Sequence, residues 1–88
     1  MSQILQALLL TRDQEVLKVL RRVLETVSID LQTVTSTDQS RQVVSRKKFD
    51  TILMDCDDVQ DGANIIREIR RGKSNSKAII FEIGRAHV

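Results

Sequence analysis

The chain has no tryptophan or tyrosine and only two phenylalanines, Phe49 and Phe81, so its interior must be built from Leu, Ile and Val. It offers no aromatic surface for base stacking and no concentrated Lys/Arg run. The formal net charge of +2 therefore gives no basis for a nucleic-acid or membrane partner. A single cysteine, Cys56, excludes an internal disulfide and fits a reducing compartment. Long hydrophobic runs are missing too. The run Ala7-Leu8-Leu9-Leu10 is cut off by Thr11-Arg12-Asp13, too short for an export signal or a membrane span, and a cytoplasmic location is expected. No glycine-rich loop follows that run, which removes the usual phosphate cradle of a nucleotide binder. With 88 residues, no internal repeat and no low-complexity linker, the chain is at most one small domain.

The hydrophobic pattern that is present alternates between two kinds of element. Residues 6–10 form an apolar run expected to be a central, buried strand. Thr11 or Asp13 can cap the helix that follows, with Glu15 near its positive end. Val16, Leu17, Leu20, Val23, Leu24 and Val27 recur at helical steps, while Lys18, Arg21, Arg22 and Glu25 occupy the other face. Residues 29–34 alternate more clearly, which suits a strand nearer a sheet edge. Ser36-Thr37-Asp38 caps a second helix running to about Lys47, whose only apolar residues are Val43 and Val44. Residues 51–54 predict a strand covered on both faces. A loop ending at Gly62 leads to a helix over 63–71 that turns Ile65, Ile66 and Ile69 inward and Arg67, Glu68, Arg70 and Arg71 outward. Gly72 is its stop signal, residues 73–76 are a polar connection, and residues 78–81 predict a fourth strand. This βαβαβαβ order predicts a parallel sheet with helices on both faces, joined by right-handed crossovers.

Candidate chemistry gathers where the third strand ends, in Met54-Asp55-Cys56-Asp57-Asp58. Ligands of open α/β sheets lie at the carboxyl ends of the strands, which makes Asp55 the first candidate; the alternative is a solvated acidic turn. Asp57, Asp58 and Asp61 could offer oxygens to a hard cation, although loop acids are usually solvated. Cys56, crowded by carboxylates that disfavour a thiolate, reads as a small packing residue. The Arg67, Arg70 and Arg71 face could meet an acidic partner, against the commoner solvated helix surface.

With these residues in place, the chain resembles the receiver domain of two-component response regulators. The resemblance rests on the element order, the apolar run into Asp55, and Asp61-Gly62 as an Asp-Gly turn before the third helix. It implies a flavodoxin-like sheet of strand order 2-1-3-4-5 and a phospho-accepting aspartate at Asp55. Receivers carry two adjacent acids after the first strand that help to hold Mg²⁺; Thr11-Arg12 stands there instead. Arg12 opposes metal binding and could pair with Asp55, while Asp13 is one position late and more readily caps the helix. The family's Met-Pro after the acceptor is missing, and the loop from Asp55 to Gly62 is shorter than the usual pattern.

A receiver would continue through a further α-β-α segment containing a Lys-bearing fifth strand. Ile83-Gly84-Arg85-Ala86-His87-Val88 instead continues no pattern and resembles the translation of a sequencing adapter. Residues 1–82 are therefore expected to be a partial receiver-like domain and 83–88 a non-native tail. Glu82, at the switch Ser/Thr position, and His87 then carry no functional meaning. Such a piece would leave a sheet edge and an apolar face uncovered. A narrower resemblance, through Leu8-Leu9-Leu10-Thr11-Arg12-Asp13, Met54-Asp55-Cys56-Asp57-Asp58-Val59 and Ser74-Asn75 before Ala78-Ile79-Ile80-Phe81, is to the receiver-like module ahead of PilZ domains in some bacterial proteins. PilZ domains typically bind cyclic di-GMP, which would belong to that partner domain. Two functions follow. One is a non-enzymatic pseudo-receiver without cofactor, acting through a protein partner or a downstream output domain. The alternative is a receiver phosphorylated on Asp55 by a histidine kinase, with Mg²⁺ held by Asp13, Asp57 or Asp58.

Overall fold

The computed structural model describes residues 4–55 and 59–83. Four strands and three helices alternate: β1 Leu5–Leu10, α1 Gln14–Thr26, β2 Ile29–Val34, α2 Thr37–Arg46, β3 Thr51–Met54, α3 Val59–Arg71 and β4 Ile79–Glu82. All pairings are parallel and the strand order is β2-β1-β3-β4, a flavodoxin-like α/β arrangement. The apolar run of β1 is central, with Ala7 to Leu10 buried, and the alternating β2 lies at an edge. The step from β1 to β2 runs one way across the sheet, and the steps to β3 and β4 run the other way. Right-handed crossovers then place α1 on one face and α2 with α3 on the opposite one.

The core forms on the α2/α3 face. Leu8, Leu10, Ile52 and Met54 rise from the sheet to meet Ile65 and Ile69 of α3, with Phe49 and Ala78 closing one end and Val43 and Val44 of α2 packed alongside. Arg41 of α2 ties the two helices together from outside. Its Nε lies 2.5 Å from Glu68 Oε2, its Nη1 lies 3.1 Å from Asp38 Oδ1, and Glu68 raises the guanidinium above its ordinary value. On the other face α1 packs against β2, but none of its residues is fully buried, and Val19, Val23 and Val27 are exposed.

Local chemistry sets the helix ends. Asp13 is the N-cap of α1, its Oδ1 accepting from the N–H groups of Glu15 and Val16, and Ser36 caps α2 by accepting from Gln39 N–H. After Val27, Ser28 takes a positive φ of 58°, the left-handed exit usually given to glycine. Three expectations need correction. The third helix begins at Val59 rather than Ala63, so Asp61-Gly62 lies in its first turns and is not a turn before it. Asp61 suits the positive helix end, and Gly62 is buried within the helix. The fourth strand spans Ile79–Glu82 rather than 78–81, because Ala78 N–H turns back to Asn75 O and the ladder resumes at Ile79. Finally, β3 is not covered on both faces: Ile52 and Met54 are buried while Thr51 and Leu53 are only half-buried.

Candidate functional site

The sheet reverses its winding between β1 and β3, and the crevice at such a reversal is where side chains leave two adjacent strand ends side by side. Thr11 follows β1 and Asp55 follows β3. Backbone bonds fix both positions: Thr11 N–H donates to Val34 O at 3.1 Å, and Asp55 N–H donates to Leu10 O at 2.8 Å. The side chains meet directly, Thr11 Oγ1 donating to Asp55 Oδ2 at 2.7 Å, with 2% and 7% of these residues exposed. The same hydroxyl accepts from Asp13 N–H at 3.0 Å. Thr11 thus joins the start of α1 to the end of β3. A buried carboxylate held this way is a positioned group and not a solvated turn acid.

Arg12 takes a different course from the pairing expected of it. Its Nε donates to the backbone carbonyl of Thr35, 3.3 Å away in the β2–α2 loop, so the adjacent strand end receives the guanidinium and Thr11 is the neighbour whose side chain bonds Asp55. Asp13, a candidate oxygen donor to a cation, directs Oδ1 to the first helical N–H groups. Asp61 is exposed on α3. Cys56, Asp57 and Asp58 lie outside the described residues, as does His87. Among the described residues, no group of three His, Cys, Asp or Glu side chains is placed to hold a metal ion.

The opposite end of the strands holds a polar residue that the sequence pattern passed over. Asn75 is only 3% exposed. Its Oδ1 accepts from Phe49 N–H at 2.6 Å, and its Nδ2 donates to the carbonyls of Val44 and Lys47, both at 2.8 Å. The α2–β3 and α3–β4 loops are thereby bolted together. Within a run of polar residues, Lys73-Ser74-Asn75-Ser76, nothing in spacing separates a buried amide from its solvated neighbours. The one available signal is the capacity of Asn to bond donors and acceptors at once.

No protein-family model matches the chain, and no curated protein matches it. Among solved structures, it is similar to the receiver domain of a sensor histidine kinase from Pseudomonas aeruginosa, crystallised with a magnesium ion coordinated in its active-site cleft. The identity is 25%, the TM-score 0.83, and the match covers 93% of this chain and 68% of that one. It is also similar in fold to an adenylate cyclase from Rhodopirellula baltica, at 18% identity and a TM-score of 0.76, over 93% of this chain and 60% of that one. The chain has the receiver-domain fold, which supports its being a signalling module. No helix among the described residues is long and apolar enough to cross a membrane.

Proposed function

We propose that this chain is a pseudo-receiver, a signalling module that works through protein contacts and performs no phosphoryl chemistry of its own. The observation that carries this reading is the buried hydrogen bond from Thr11 to Asp55. Phosphoryl transfer to a carboxylate crowds anionic oxygens together, and a divalent cation normally neutralises them. At the two positions where the receiver resemblance calls for acids, this chain has a hydroxyl that donates to Asp55 and an arginine that donates to Thr35. A hydroxyl in that place donates one hydrogen bond to the carboxylate and supplies no charge for a cation. Asp55 then serves as a fixed acceptor that locks the β1–α1 turn to the end of β3.

The competing reading, a phosphorylatable receiver, draws support from the magnesium ion in the cleft of the similar Pseudomonas receiver and from the placement of Asp55 at the strand end. Incubation of the protein with acetyl phosphate and Mg²⁺, followed by intact-mass measurement, separates the two. The pseudo-receiver stays unmodified; an adduct that disappears in Asp55→Asn establishes the competitor.

The module's proposed context is the cytoplasm of a bacterium, as the N-terminal part of a longer regulator with a PilZ-type output domain, which it would contact directly or through a partner protein. The strings at 8–13, 54–59 and 74–81 support this context. Under it, cyclic di-GMP binds the longer protein far more tightly than it binds the 88-residue chain.

A further inference from the structure

We infer that the amino-terminal end of the sheet carries a second site, one that binds a small phosphate-bearing anion. A concavity of about 460 Å³ opens there between the α2–β3 and α3–β4 loops. Lys48, Lys73 and Lys77 line it together with the hydroxyl residues Ser74 and Ser76. Asp50 also lines it, but its Oδ2 accepts from Gln6 N–H at 2.8 Å, on the β1 side. Among the described residues the ion pairs are those of Arg41, and none involves these three lysines. Three lysines against the single carboxylate of Asp50 thus give the concavity a surplus of positive charge. Mutual repulsion of this kind is relieved by an anion.

The walls are held in place before any ligand arrives. Asn75 fastens the two loops through Phe49, Val44 and Lys47. Arg70 Nη1 donates to Ser76 O at 2.7 Å and to Ala78 O at 2.8 Å, fixing the second loop from the α3 side. Asp50 O accepts from Ile79 N–H at 3.1 Å, closing the base. Loops fixed in this way lose little freedom on binding, and the cost that remains is ordering the lysine side chains. The donor type selects the ligand. Lysine ammonium groups are compact point charges, and with hydroxyls they surround a tetrahedral oxyanion from several directions; a planar carboxylate is better met by the arginine fork. The nearby arginine, Arg70, is committed to backbone carbonyls. This site lies at the far end of the strands from Asp55, roughly 13 Å along β3, and does not depend on how Asp55 is used.

Calorimetric titration of the 88-residue protein with inorganic pyrophosphate at low salt tests the inference. Saturable binding at one site is expected. The variant carrying Lys48→Gln, Lys73→Gln and Lys77→Gln should bind about tenfold more weakly or worse, as expected for losing charge-assisted bonds. These lysines are exposed, so the variant keeps the fold. Arg67→Gln with Arg71→Gln, exposed on α3 and outside the concavity, should leave binding unchanged. ADP binding equal to that of pyrophosphate identifies an inorganic phosphate source, and tighter binding a nucleoside phosphate. Absence of saturation, an unaffected triple-lysine variant, or hexaglutamate binding as tightly as pyrophosphate overturns the site.

Discussion

The two faces of the sheet are made from the same kinds of residue and end up differently. On the α2/α3 face, Leu8, Leu10, Ile52, Met54 and Ile80 meet two helices, and the core forms there. On the α1 face, Ala7 and Leu9 are covered, but Leu53 is half-buried and Ile79 and Phe81 of β4 are 60% and 54% exposed. One helix spans only the β1–β2 half, and its own Val19 and Val23 stand open toward solvent. Apolar content therefore marks which residues can be buried; how many helices lie above them decides which ones are.

Substitutions on the two faces sharpen that contrast. Ile52→Ala, at 1% exposure beneath α3, should cost about 2–5 kcal/mol in chemical denaturation, the range for truncating a packed aliphatic side chain. Asn75→Ala strips bonds from Phe49 N–H and two carbonyls at once, and a loss of about 3 kcal/mol is expected because a buried donor is left unmet. Thr11→Val keeps the shape and removes the bond to Asp55, for an expected loss of about 2 kcal/mol; a loss confined to a few tenths would mean the hydroxyl contributes little to holding the strand ends. Phe81→Ser should shift stability by no more than about 0.5 kcal/mol, while reducing self-association in sedimentation experiments. If Phe81→Ser proves as costly as Ile52→Ala, the two faces are not differently covered in solution.

Much of the architecture was legible because periodicity reports burial. The helical spacing of Val16 to Val27 and the alternation at Ile29–Val34 led to α1 and to β2 at an edge. The placement of Asp55 at a strand end was legible for the same reason, since an apolar run that stops at an acid can only be leaving the sheet. What escaped was decided by single contacts between distant residues. Arg12 could reach either side of β1, and sequence has no term for the Thr35 carbonyl that received it. The start of α3 escaped because Gly62, a poor helix former, reads as a boundary, whereas the helix runs through it from Val59. Phe81 was expected in a strand and is there, but its exposure depends on what stands over β4.

Asn75 also bears on how the molecule opens. Its three bonds reach residues 26, 28 and 31 positions away, linking the connection before β3 to the one before β4. Neither loop can swing out alone, because the first movement breaks bonds that belong to the other. The two connections therefore form one cooperative unit, and the Phe49 amide should exchange its hydrogen only when both have detached together.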